Sequence, residues 1–435
     1  MKKRVAFYTL GCKVNYCETE SLEALFRQAG YTVADFEDVA DVYVINTCTV
    51  THLSDHKSRK MIRRARRRNP RGIVVATGCY AQGFPEELAK IAGVDLIVGT
   101  QGREKLPQLV ESLREGAPLN LVRPYGERPA FEVMPYGGKH RRTRGFLKIQ
   151  EGCNRRCSYC IIPLVRGPQR SLPPQAVLER AREMIAAGCR ELVLTGIHLG
   201  MYGSDLEGVT LASLLRQLEK LEGLLRLRLS SLEPMDITGE LVEQIALSSK
   251  ICPHLHIPLQ SGDDAVLERM NRGYRAAEYA YLIQWLRQEL PGLAISTDVI
   301  VGFPGETEEQ HRNTMDLVRR LKFSRLHVFK FSPRPGTAAA EMEGEPPPSV
   351  KERRSREMIA LGEELASAYR KRAVGSIQEV LVEKVVPYRH GEGFTPDYIR
   401  ARVALKGQGR RWRGREIKML VQGEEKNFIF GTPLR

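Results

Sequence analysis

No run in this sequence approaches the roughly eighteen consecutive apolar residues that a membrane-spanning helix needs, so a span of that kind is excluded and no membrane partner is expected. The opening Met1-Lys2-Lys3-Arg4 imitates the charged end of an export signal. The apolar run behind it, Val5-Ala6-Phe7-Tyr8-Thr9-Leu10, is short, however, and leads into Gly11-Cys12-Lys13 without a small-residue cleavage site. It reads as a first β-strand. Nine cysteines in 435 residues, an odd count with no export signal, speak against a disulfide framework and for reduced thiols or metal ligands. The expected compartment is the cytoplasm. Acidic residues are in deficit: 52 Asp and Glu against 67 Lys and Arg leave a formal net charge of +15. That excess implies an anionic partner, nucleic acid first. A hydrophobic content of 42% supports ordinary packed cores, and the length suggests about three domains.

The most informative stretch is Gly152-Cys153-Asn154-Arg155-Arg156-Cys157-Ser158-Tyr159-Cys160, which sets three thiols close together directly after the strand-like run 145–150. A structural zinc site takes four N or S ligands and closes around the metal. Iron–sulfur clusters are held by closely spaced Cys thiolates, and a cubane held by three keeps one iron open. Buried cysteines plus a chance third, or half of a zinc site completed elsewhere, are the alternatives.

Residues 1–120 alternate strand-like and helical patterns, with strands over Arg4–Thr9, Val42–Asn46 and Ile73–Thr77, which predicts a doubly wound parallel sheet. Cys12, Cys48 and Cys79 each fall just past the end of one of these strands, where open parallel sheets bind ligands. Three converging thiols again predict a cluster with one iron lacking a protein ligand. Cys17 is a rival fourth ligand, but it lies inside a helix, where packing is the simpler role. Lys57 to Arg71 form a strongly basic helix ended by Asn69-Pro70, without interleaved acids at helical spacing, and this run suits a phosphate backbone.

After a connecting stretch and a second basic cluster, Lys139-His140-Arg141-Arg142-Thr143-Arg144, a new domain begins near residue 130 and extends to about 370. Strand-like runs at Phe146–Ile149, Glu191–Leu194, Arg226–Ser230, His254–Pro258, Ile295–Ile300 and Arg325–Phe329 alternate with helical patterns. Six such repeats predict an incomplete (β/α)6 barrel whose chemistry sits at the C-terminal strand ends. Those ends carry Thr195-Gly196-Ile197-His198, Ser230-Ser231-Leu232-Glu233, Gln260-Ser261-Gly262, Asp298 and Gly302-Phe303-Pro304-Gly305-Glu306. Glycines admit a ligand to the backbone, and polar groups orient it. Cys189 and Cys252 lie before strands and read as core. Ser349-Val350-Lys351-Glu352 predicts a capping box opening a helix to about Ala373 that would close the barrel's side. Residues 373–435 then show short β-rich runs, a small antiparallel barrel. Its segment 406–415 offers cations around Trp412 for phosphate contact and base stacking.

Cys153-x3-Cys157-x2-Cys160 resembles the radical S-adenosylmethionine (SAM) signature, and Cys12, Cys48 and Cys79 resemble the methylthiotransferase subfamily. Through Leu10-Gly11-Cys12-Lys13-Val14-Asn15, Val44-Ile45-Asn46-Thr47-Cys48-Thr49-Val50 and Phe331-Ser332-Pro333-Arg334-Pro335-Gly336-Thr337, the chain is most similar to the tRNA N6-threonylcarbamoyladenosine methylthiotransferases of the MtaB type. The C-terminal barrel resembles the RNA-binding TRAM domain. The resemblance implies two 4Fe–4S clusters, on Cys153, Cys157 and Cys160 and on Cys12, Cys48 and Cys79, with SAM on the open iron of the first. It implies that the turn of Thr195, Gly196 and His198 meets the methionyl moiety and that Ser231, Glu233 and Gln260 contact SAM's polar groups. The implied activity is methylthiolation at C2 of N6-threonylcarbamoyladenosine in the tRNA anticodon stem-loop, served by an electron donor and a sulfur donor. Isopentenyl-adenosine tRNA, a ribosomal-protein aspartate, or a non-catalytic iron–sulfur RNA-binding or redox-sensing role are the rival readings.

Overall fold

A computed structural model describes residues 2–113, 118–126, 129–137, 143–386, 389–405 and 412–434. The basic residues 139–142 and 406–411 lie outside them. In the first part, β1 (Arg4–Thr9), β2 (Thr32–Ala34), β3 (Val42–Thr47), β4 (Ile73–Gly78), β5 (Leu96–Ile97) and β6 (Leu119–Asn120) form one parallel sheet in the order β2-β1-β3-β4-β5-β6. Helices α1 (Lys13–Gln28), α2 (His52–Arg68), α3 (Cys79–Gly83), α4 (Pro85–Ala89) and α5 (Leu106–Ser112) connect the strands. Both faces are covered: Val42 and Val44 pack with Leu22 and Phe26 of α1, whereas Tyr43 and Ile45 pack with Met61 and Ile62 of α2. A strand buried on both faces needs a continuous apolar run, which is what β3 carries.

The second part opens with β7 (Arg144–Lys148). A short antiparallel pair, β8 (Gln150–Glu151) and β9 (Arg170–Ser171), brackets the cysteine loop and α6 (Ile162–Arg166). Next come α7 (Pro174–Ala186), β10 (Glu191–Thr195), α8 (Leu211–Leu218), β11 (Arg226–Leu229), α9 (Gly239–Leu247), β12 (His254–His256), α10 (Asp264–Arg269), α11 (Ala276–Glu289), β13 (Ala294–Val301), α12 (Glu308–Leu321) and β14 (Arg325–Lys330). The parallel sheets β11-β10-β7 and β12-β13-β14 are joined by the bridges Leu227–Ile251 and Ser231–His256. Six strands therefore wrap in sequence order, and β7 and β14 remain edges, so the barrel is open on one side. The long helix α13 (Pro348–Lys371) packs along β14, with Gly362 against Leu326. It starts from Pro347 with no side-chain cap. The expected capping box at Ser349 is thus absent, because Pro348 already sits at the first helical position with its φ suited to the helix.

The last part is a closed barrel of β15 (Ile377–Val386), β16 (His390–Phe394), β17 (Arg400–Ala404), β18 (Glu416–Glu425) and β19 (Phe428–Pro433). Its pairs are antiparallel except β17 with β19, which is parallel, a departure from the all-antiparallel expectation. Trp412 packs against this barrel's core, so it is not the exposed stacking platform expected from the sequence. The small barrel is fastened to β11 of the large one. Arg226 donates to Glu416 at 2.7 Å and to the Phe394 carbonyl at 2.8 Å, and Arg228 donates to the Pro396 carbonyl at 2.8 Å. Among the described residues no helix is long and apolar enough to cross a membrane.

The basic helix α2 also differs from expectation. Acids from outside the helix reach it: Glu37 meets Arg64 and Arg68, Asp95 meets Arg66 at 2.5 Å, and Glu87 stands 4.0 Å from Arg59. Lys57, Lys60, Arg63 and Arg67 remain exposed, with no carboxylate partner among the described residues. Lys60, Arg63 and Arg67 recur at helical spacing and form a cationic stripe.

Candidate active site

The parallel sheet places the C-terminal ends of β1, β3 and β4 side by side, and the three cysteines follow them: Cys12 caps α1, Cys48 follows β3 and Cys79 opens α3. Gly11 and Gly78 make the turns. Gly11 has φ +98°, and a Cβ there would stand 2.9 Å from Cys48 Cβ. Gly78 has φ +90°, and its Cβ would lie 2.6 Å from the Thr47 carbonyl oxygen. Gly78→Ala is therefore expected to lose about 1–3 kcal/mol in denaturant unfolding; an unchanged midpoint would contradict this account. Asn15 ties the loops together, donating to the Leu10 carbonyl at 2.7 Å and the Thr47 carbonyl at 3.1 Å. Burial pushes the Cys79 thiol up to about 12, against the opposing charge of Arg166, and the neighbouring Cys48 and Cys12 add to the rise. Cys17 is not part of this group. It is buried in α1, and its thiol donates to the Phe146 carbonyl at 3.3 Å.

In the barrel loop, Cys153 N donates to the Gly167 carbonyl at 3.1 Å, Cys160 N to the Cys157 carbonyl at 3.0 Å, and Ser158 Oγ to the Arg269 carbonyl at 2.7 Å. These bonds fix three thiols on one turn, all in the free form. Burial drives Cys160 up to about 12, with Cys157 and Cys153 close enough to contribute. Each trio has a cationic donor against one of its sulfurs. Arg166 Nε lies 3.0 Å from Cys79 Sγ, and Arg272 Nη1 lies 3.2 Å from Cys157 Sγ. His198 Nδ1 stands 3.5 Å from Cys153 Sγ, and its Nε2 meets Asp236. Burial opposes protonation of His198, but the bonds to Asp236 and Cys153 outweigh it and raise its pKa to about 9.

This donor set fits iron–sulfur clusters. Three soft thiolates with N–H donors against the sulfurs are what such clusters take, hydrogen bonds to sulfur being one means of setting their potential. Among the described residues no three His, Cys, Asp or Glu side chains close on a single ion, whereas thiolates of a cubane each bind a different iron. The strand ends also fit a polar ligand. Gln260 holds φ +65°, and its Oε1 is buried with no hydrogen-bond partner, as is Ser230 Oγ. Of the other expected SAM contacts, Thr195 Oγ1 donates to the Val193 carbonyl at 3.1 Å, Gly196 lies against Gln150, Glu233 pairs with Arg272, and Ser231 bridges to His256.

A cavity of about 1630 Å³ lies among the three parts. Its walls include Cys12, Lys13 and Cys48 from the first part, Thr195, Gly196, Ser231 and Asp298 from the barrel lumen, and Tyr398 from the small barrel. Cys79, the three loop cysteines, His198, Glu233 and Gln260 lie outside this lining. Burial lowers the Lys13 pKa, with Tyr398 opposing and Arg144 and Arg228 adding to the effect.

Two buried arginines lock the barrel to the first part beside the thiols, and neither is evident from sequence. Arg166 Nη1 meets Glu18 at 2.5 Å and Glu151 at 2.9 Å, while its Nη2 meets Asn15 at 2.5 Å. Arg334, within a stretch quoted above for its resemblance, reaches Thr49 at 2.6 Å and Asp55 at 2.7 Å. Arg272 and Asp236 were likewise missed. Their only signal is proximity in three dimensions.

Comparison with known proteins adds the following. The model of the uncharacterized protein family UPF0004 matches residues 4–99, and that of the radical SAM superfamily matches residues 147–318. The chain is 47% identical over 93% of its length, and 90% of the relative's, to the threonylcarbamoyladenosine tRNA methylthiotransferase MtaB of Bacillus subtilis (strain 168). It is 37% identical, over 88% of this chain and 87% of the relative, to a tRNA-2-methylthio-N(6)-dimethylallyladenosine synthase of Moorella thermoacetica. Among solved structures, the radical SAM methyltransferase TsrM of Kitasatospora setae, with cobalamin and a 4Fe–4S cluster bound, superposes with a TM-score of 0.57. It does so at 18% identity over 78% of this chain and 77% of that one, a likeness of fold.

Proposed function

The chain belongs to the radical SAM methylthiotransferase family, and on that premise we propose that it methylthiolates C2 of N6-threonylcarbamoyladenosine in tRNA. The observation that carries the reading is the cavity in which the strand-end thiols Cys12 and Cys48 face the barrel lumen, in a chain 47% identical to an enzyme named for that nucleoside. Cys153, Cys157 and Cys160 are assigned to the cluster that binds SAM, and Cys12, Cys48 and Cys79 to the auxiliary cluster. When bound, these groups supply the reducing electron, the carbon-centred radical and the sulfur. The residues of this chain hold and aim them. Gln260 and Ser230 offer unpartnered polar atoms to SAM, His198 and Arg272 steady the loop sulfurs, and the three-part cavity admits one splayed-out base.

The cationic stripe of α2 supports an RNA backbone as partner. An electron donor and a sulfur donor complete the reaction, and a tRNA substrate supports the cytoplasm as its compartment. The test is mass spectrometry of tRNA nucleosides from cells lacking and regaining this gene. The 2-methylthio derivative of N6-threonylcarbamoyladenosine is expected to vanish and return. Its persistence in the deletion strain, with loss of the dimethylallyl product instead, would reassign the substrate.

A further inference from the structure

Among the charged side chains that line the cavity, most are already spoken for. Arg228 is bound to Glu191 at 2.7 Å, Lys330 to Glu352 at 2.7 Å, Lys351 to Glu345 at 2.5 Å, and Asp298 to His256 at 3.2 Å. Lys13 and Arg325 are the described lining cations without a carboxylate partner. Arg325 is exposed, whereas Lys13 is half-buried and follows Cys12 directly. It shares the cavity lining with Arg228 and Tyr398. A partly buried cation among other cations, facing empty space, is poorly placed unless an anion joins it.

The N6 substituent of the proposed substrate supplies one. The threonylcarbamoyl group ends in a carboxylate, carried on a planar urea a few bonds from C2, the carbon that must approach the auxiliary thiols. A dimethylallyl group, for which the Moorella thermoacetica relative is named, is apolar and offers a cation nothing. Resting on the substrate reading above, we propose that Lys13 binds the threonylcarbamoyl carboxylate, and that it is the residue by which this cavity tells a charged N6 substituent from an apolar one. Held there, the carboxylate orients the purine with C2 turned toward Cys12 and Cys48. A bound ion pair with a charge-assisted hydrogen bond discriminates because the analogue lacking the anion leaves the half-buried cation unmatched.

The test measures binding of two anticodon stem-loops, identical except that one carries N6-threonylcarbamoyladenosine and the other plain adenosine, to anaerobically reconstituted protein. Wild type should prefer the modified stem-loop. Lys13→Met should weaken that complex about tenfold while binding plain adenosine within about twofold of wild type, and Lys13→Arg should keep most of the preference. Binding of the plain stem-loop, together with iron content, verifies that each variant is folded and loaded beside Cys12. Equal weakening of both stem-loops would identify Lys13 as an RNA-backbone contact and overturn the proposal, and an undiminished preference in Lys13→Met would overturn it as well. A wild-type protein that neither prefers nor methylthiolates the modified stem-loop would instead bring down the substrate reading, and the proposal with it.

Discussion

Glu18→Gln is expected to lower the stability of this protein by about 3–5 kcal/mol, although it changes one atom on a side chain that never meets solvent. Glu18 is fully buried at the junction of the first part with the barrel and accepts three cations. Arg103 lies at 2.7 Å, Arg166 at 2.5 Å and Lys148 at 3.0 Å. Glu132 and Glu151 bring the carboxylates to three, and Arg170, 4.0 Å from Glu151, brings the cations to four. Removing one negative charge leaves the surplus cation in a medium that cannot solvate it. A buried pair broken on one side loses far more than an exposed one.

The pH dependence follows from the same contacts. Burial disfavours the Glu18 carboxylate, but Arg103, Arg166 and Lys148 outweigh it and hold its pKa well below the ordinary range. A carboxyl depressed in the folded state contributes stability above its unfolded pKa and loses it as pH falls through the folded value. The gap between wild type and Glu18→Gln should therefore be constant from neutrality down to about pH 5 and narrow only below about pH 4. Denaturant unfolding followed across that range tests both the size and the window. A gap under about 1 kcal/mol at pH 7 would mean that water reaches the cluster.

The sequence made the long, apolar elements legible and hid those built from small or polar residues. β3 and β13 announced themselves because both faces are buried. β16 did not: His390-Gly391-Glu392-Gly393-Phe394 reads as a loop, and its glycines are explained only by packing, since a Cβ on Gly391 would stand 2.8 Å from Leu405 and 3.1 Å from Val382. β5 and β6 are two residues each, too short for any periodicity. At the site, the sequence pattern was enough to expect Cys12, Cys48 and Cys79 just past adjacent strand ends, where the structure has them, because a parallel sheet fixes where its strand ends go. The buried arginines around the thiols could not be anticipated. In sequence Arg166, Arg272 and Arg334 look like any exposed cation, and their burial depends on acids and thiols contributed from other parts of the chain. The same blindness misjudged α2, whose partners Glu37 and Asp95 lie in distant turns.

Separating the two trios by mutation should give different failures, and the contrast is the sharpest test of their assignment. Cys157→Ala is expected to abolish both reductive cleavage of SAM and formation of the methylthio product, because Cys157 belongs to the loop against which SAM is placed. Cys12→Ala is expected to abolish the product and leave 5′-deoxyadenosine detectable, since Cys12 belongs to the first part and not to the loop of Cys153, Cys157 and Cys160. Cys17→Ala supplies the control. Its thiol is turned to the Phe146 carbonyl at 3.3 Å, so it should retain product and lose only packing. Product and 5′-deoxyadenosine are quantified by mass spectrometry on anaerobically reconstituted protein, alongside iron content. If Cys17→Ala failed as Cys12→Ala does, the auxiliary ligand set would need redrawing. If Cys12→Ala lost SAM cleavage too, the two trios would not act as separate sites. Arg166 makes that last outcome instructive, for it touches Cys79 on one side and Glu151, two residues before Cys153, on the other. Cys79 also packs on Ile161, the residue after Cys160, and on Val165, so two contacts connect the trios, and iron lost from both sites in Cys12→Ala would show damage passing between them.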